Sequence, residues 1–197
     1  MLSFCQTMNG ATIKSYKPTK EEIQAAQGRI LIDVIEPRLK VLFCGINPGL
    51  YSAAVEHHFA RPGNRFWKML HDAGFTPYLL SPYEENKLLE HGYGITDIVE
   101  RATAGANEIT PSELIEGVKR LTTKVLKYKP KCVAVLGIGS YRKAFMRPRA
   151  KTGRQTETIG ESTLWVLPNP SGLNGHYQPK QLKQLSQELR KAIGGWA

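Results

Sequence analysis

Cysteine is scarce in this chain: Cys5, Cys44 and Cys132 are the only three in 197 residues. They are too few and too scattered for a disulfide framework or a CxxC metal site. Cys44 and Cys132 lie in apolar runs and read as buried free thiols, which fits a reducing compartment. No stretch approaches the roughly 20 consecutive apolar residues of a membrane span. The first twenty residues lack the basic start and apolar centre of a signal peptide. Acidic residues are short as well, 17 against 27 Lys and Arg, for a net charge of +10. That imbalance favours a polyanionic partner, nucleic acid ahead of an anionic membrane surface. A GxxxxGK phosphate loop and a GxSxG nucleophile turn are both missing. Gly137-Ile138-Gly139 follows an apolar run, but Arg142 stands where a dinucleotide fingerprint needs its third glycine.

What is present is a pattern of short apolar runs alternating with helical segments. Hydrophobic residues make up 41% of the chain and charged ones 22%, enough for one soluble domain with a single sizeable core. Residues 1–18 show no clear period and read as a flexible tail, with one domain over 19–197. Thr19-Lys20-Glu21-Glu22 has the form of a capping box and opens a short helix to Gln27. Lys40–Gly45 reads as a buried strand, followed by a long loop to about Gly63. Asn64 caps a helix that Gly74 ends. Ser81-Pro82 starts another helix that closes near His91, and Thr96–Val99 is a short strand. Thr110-Pro111-Ser112-Glu113 starts a helix to about Tyr128, with Leu114, Val118, Leu121, Val125 and Leu126 on its apolar face. Cys132–Leu136 and Thr163–Leu167 are strands, Ser140–Phe145 a short helix, Arg147–Arg154 a basic loop, and Pro179–Ile193 the last helix. The fold class is therefore α/β: a three-layer α/β/α sandwich around a short, mainly parallel sheet.

Two strands end in an Asn-Pro turn, GINPG at 45–49 and LPNPSG at 167–172. Pro48 fixes its own φ and keeps Asn47 out of the helical region, so a polar amide is held at the carboxyl end of a strand. In a parallel sheet both turns lie at one edge, where ligand crevices form.

Taken with HHFARPGNRFWKML (57–70), GITDIVERAT (94–103), VAVLGIGSY (133–141) and WVLPNPSGL (165–173), these turns resemble the mismatch-specific uracil/thymine DNA glycosylases, a branch of the uracil-DNA glycosylase superfamily. The resemblance covers about Ile30 to Ile193, with the segments in family order. It implies a monofunctional enzyme that flips a mispaired uracil (G·U, with G·T and ethenocytosine as further family substrates) out of double-stranded DNA and hydrolyses its glycosidic bond. It also implies a monomer with no cofactor and no metal, located in the cytoplasm at a bacterial-type nucleoid.

Residue by residue, the resemblance makes Asn47 the group that positions the attacking water. An amide is too weak a base to take the proton, but it can accept a hydrogen bond from water and fix its position. Gly45, Ile46, Ser52, His58 and Phe59 would form the base pocket, with Phe59 stacked on the flipped base and Ser52 and His58 contacting its polar edge. Asn169, Pro170, Ser171, Gly172, Leu173 and Asn174 match the intercalation loop, Leu173 being the apolar wedge. Arg61 and Arg65 are candidate phosphate contacts. Bacterial members carry an Arg two residues after the wedge, aimed at the opposite guanine. Here that position is Gly175, which leaves the backbone of Gly172 and Leu173 to face the guanine edge. No paired carboxylates stand near these motifs, as a two-carboxylate glycosidase would need. The competing reading is a catalytically inactive module that senses mismatches through the same basic surface and wedge.

Overall fold

Four parallel strands and one antiparallel strand form the central sheet, in the order β4-β3-β5-β7-β6. The computed structural model describes residues 5–8, 11–14, 16–172, 175 and 177–194. The strands are β3 (Val41–Gly45), β4 (Tyr93–Asp97), β5 (Cys132–Leu136), β6 (Gly153–Ile159) and β7 (Ser162–Leu167). Every residue of β3, β4 and β5 is buried, as expected for parallel strands covered on both faces.

The strand period of two divides the core between those faces. Phe43, Ile95, Ala134 and Trp165 pack on α3 (Phe66–Asp72) and α7 (Pro179–Gly194). Leu42, Cys44, Val133, Val135 and Val166 pack on α5 (Pro111–Tyr128) and α6 (Ile138–Ala144). This is the expected α/β/α sandwich. Both Cys44 and Cys132 are buried free thiols.

Several elements differ from the sequence expectation. Within the segment read as a flexible tail, β1 (Cys5–Met8) and β2 (Ala11–Lys14) pair antiparallel. The first helix, α1 (Lys20–Ala25), opens on the predicted Thr19–Glu22 capping box. The loop predicted after β3 contains α2 (Leu50–Val55), one and a half turns too short to show a period. The helix expected from Ser81 is a 3-10 turn, Pro82–Glu84, followed by α4 (Lys87–Glu90). The predicted basic loop runs into β6, an edge strand whose polar residues show no apolar alternation. Leu126, placed on the apolar face of α5, is half exposed.

One shift matters for the site. The strand expected at 96–99 lies at 93–97, paired so that Gly45 faces Asp97. Asp97 is thus the last residue of β4, at the same edge as the GINPG turn.

Candidate active site

The chain runs from β3 to β4 on one side and returns through β5 on the other, so the direction of winding reverses beside β3. Ligand crevices form outside the carboxyl ends of strands at such a point. A cavity of about 180 Å³ lies there. Both Asn-Pro turns line it, as do Gly45, Ile46, Ser52, His58, Phe59, Arg61 and Asp97. The two turns expected at one edge of the sheet thus line one cleft.

Asn47 is held rigidly. Its Nδ2 donates to the carbonyls of Pro48 (3.0 Å) and Arg101 (3.2 Å) and to Thr103 Oγ1 (2.7 Å). Two carbonyls can only accept, so the NH₂ must face them and the amide cannot be flipped. Thr103 in turn donates to the Gly105 carbonyl at 2.9 Å. Asn47 Oδ1 makes no hydrogen bond among the described residues and is the acceptor the side chain offers to a ligand or a water.

Gly45 is needed for close packing. A Cβ there would lie 2.1 Å from Asp97 Oδ1 and 3.5 Å from the Phe59 ring. Phe59 itself has φ of 54°, an uncommon value for a bulky residue and one that clusters at binding sites. Its ring stacks on Phe66, centroids 4.0 Å apart. Ser52, in α2, accepts the Ala60 N–H at 3.1 Å, which ties the pocket loop to that helix and leaves the hydroxyl proton free to donate.

Asp97 is the carboxylate that motif reading overlooked. It is buried, and its carboxylate makes no hydrogen bond among the described residues. Burial pushes its carboxyl up to about 6, despite the opposing pull of His58. The misplaced strand hid it: second in a strand at 96–99 it would lie away from the carboxyl end, whereas it ends β4 at that edge. A signal was available in the lone acidic residue between Thr96 and the apolar pair Ile98-Val99.

His58 is 3% exposed. Its Nδ1 and backbone N–H both meet Glu85 Oε2, at 3.0 and 2.8 Å, while Nε2 faces Asp97 Oδ2 at 3.8 Å. Burial alone would lower its pKa, but the Glu85 hydrogen bond and the charges of Asp97 and Glu85 outweigh that and raise it. Glu85 also takes His57 Nδ1 at 2.8 Å.

In the second turn, Asn169 Oδ1 accepts the Ser171 N–H at 2.9 Å and closes the turn on itself. Arg65 has a different task from the phosphate contact expected of it. Its guanidinium donates to the carbonyls of Pro170 (3.4 Å), Ser171 (2.7 Å) and Tyr177 (2.8 Å), and its backbone N–H also donates to Pro170. Gly172 packs against the preceding loop so tightly that a Cβ would lie 2.5 Å from the Gly63 carbonyl. The side chain of Arg61, exposed at the rim, has no ion-pair partner among the described residues. Leu173 and Asn174 lie outside the described residues.

The fold and site define an open α/β protein with a small, mixed polar and aromatic pocket at the carboxyl edge of its sheet, framed by two loops. The chain belongs to the uracil DNA glycosylase superfamily, whose family model matches residues 32–191. Membership carries the general activity, hydrolysis of a base from DNA, and DNA as the partner. A solution NMR structure of a "putative Uracil DNA glycosylase" from Methanosarcina acetivorans shares the fold, with a TM-score of 0.53 at 20% identity. The match covers 83% of this chain and 98% of that one.

Proposed function

We propose that this protein is a monofunctional DNA glycosylase that excises mispaired uracil from G·U pairs, with G·T thymine and ethenocytosine as further substrates. The observation that carries this reading is the fixed amide of Asn47 with its free acceptor at the pocket. Oδ1 orients a water toward C1′ of a flipped nucleotide, a positioning task that suits a neutral amide. Phe59 offers a ring face to the flipped base, and Ser52 a hydroxyl proton to its edge. As the C1′–N bond breaks, its electron pair leaves with the base, and the water oxygen bonds to C1′. Asp97, at the same edge, takes the proton that the amide cannot. Leu173 fills the gap in the duplex, the backbones of Gly172 and Leu173 face the opposite base, and Arg61 contacts a phosphate.

The test is single-turnover base release from G·U, A·U and G·T duplexes by wild type and Asn47→Ala. Release from G·U should fall about a hundredfold or more in Asn47→Ala while duplex binding survives. Undiminished release in the variant would place the chemistry elsewhere. No release by wild type, with mismatch binding intact, would favour a binding module.

A further inference from the structure

The chemistry above leaves Asp97 holding a proton and assigns no role to Glu85 or His57. Yet a continuous line of ionisable groups runs from the pocket wall to the surface. His58 Nε2 faces Asp97 Oδ2 at 3.8 Å. His58 Nδ1 meets Glu85 Oε2 at 3.0 Å, and the other carboxylate oxygen meets His57 Nδ1 at 2.8 Å. The inner members, His58 and Glu85, are 3% and 7% exposed, whereas the His57 side chain is 29% exposed.

The acceptor pattern assigns the protons. Glu85 Oε2 already accepts the His58 backbone N–H, and a carboxylate offers only acceptors, so His58 Nδ1 must carry a hydrogen. Nε2 is then either a lone pair or an N–H. It is fully enclosed and has no hydrogen-bond partner among the described residues. A buried polar atom without a partner calls for an explanation. An N–H at Nε2 makes His58 an imidazolium facing the Asp97 carboxylate, and a lone pair there leaves that carboxylate without a positive partner.

We propose that Glu85 and His58 are positioning residues that hold Asp97 as a proton acceptor. This proposal rests on the glycosylase reading. When water attacks C1′, its proton moves to the Asp97 carboxylate, which the facing His58 imidazolium has kept ionised, and returns to solvent after the base has left. The departing base anion regains one proton from solvent, so the balance closes. Other groups that act on the pair are Asp33 before β3, Cys44 of β3, Glu100 after β4 and Lys124 of α5. Lys124 is itself occupied by Asp33 at 2.6 Å and Glu100 at 3.0 Å. His57 packs edge-on to Tyr83, whose hydroxyl bonds the backbone of Tyr16.

The experiment is the pH profile of single-turnover release from a G·U duplex, from about pH 5 to about pH 8.5, for wild type, Glu85→Gln, Asp97→Asn and the double variant. Glu85→Gln weakens the imidazolium and so removes a positive partner from Asp97. The rising acid limb should move up by about one pH unit. Asp97→Asn should abolish that limb, and adding Glu85→Gln should then change release less than twofold. An unmoved limb in Glu85→Gln, or an equal loss in the Asp97→Asn background, would overturn the proposal. Imidazole NMR provides a readout independent of turnover. The titration midpoint of His58 should fall by about one unit in Asp97→Asn, and an unmoved midpoint would sink the coupling. Release absent from wild type with the NMR coupling intact would count against the glycosylase reading and leave the coupled pair standing.

Discussion

At the residue scale, the site shows one group built for rigidity and one held at a cost. Asn47 is fixed by three acceptors, so its orientation is preorganised before substrate arrives. Asp97 is the opposite case. Burial raises its carboxyl to about 6, above its unfolded value, so it contributes stability only at low pH. That contribution is complete below about pH 4 and is lost as pH rises through about 6. Asp97→Asn removes the ionisation. The variant should be more stable than wild type at pH 7.5 by up to roughly 3 kcal/mol, and equally stable near pH 4. Urea denaturation of both proteins at the two pH values checks this. A stabilised variant that releases base slowly would mark Asp97 as retained for function. The sequence exposed Asn47, Phe59 and Ser52, because each sits in or beside a turn motif. It did not expose Asp97 or Glu85, because their roles depend on which strand and which loop they meet.

At the element scale, the loops matter more than the helices. Arg65 ties the loop at 61–65 to the turn at 169–172 and to Tyr177, and Gly172 lets the two backbones touch. A point charge cannot bridge three carbonyls as a planar guanidinium does. Arg65→Ala and Arg65→Lys should therefore both lower release from duplex DNA about tenfold, with a smaller effect on single strands, which need no wedge. Leu173→Ala should show the same preference, and equal losses on both substrates would sink the wedge assignment. Arg61, by contrast, is a rim cation. Arg61→Ala should reduce the slope of log affinity against log salt by about 0.9, on matched and mismatched duplexes alike. Salt titrations of binding test it. Periodicity revealed α5, which is long enough to display an apolar face. It missed α2 and β6, where six residues of helix and a polar edge strand leave no pattern to read.

At the scale of the whole molecule, stability comes from the two apolar layers that clamp the sheet. Phe43 is the centre of one, edge-on to Phe66, Phe75 and Tyr93 at 5.4–6.2 Å. Phe43→Ala should cost about 3–5 kcal/mol, a loss that thermal denaturation would report. Because β3 leads directly into the GINPG turn, the same change should also loosen the pocket.

The sequence by itself determined the layers and the turns, since apolar alternation, proline and glycine act through local sterics and burial. Strand order, the register that sets Asp97 beside Gly45, and the meeting of His58 with Glu85 were decided only by the tertiary structure. Those contacts join residues 27 to 52 positions apart. No local preference specifies them; they follow from which surfaces the two buried layers bring together.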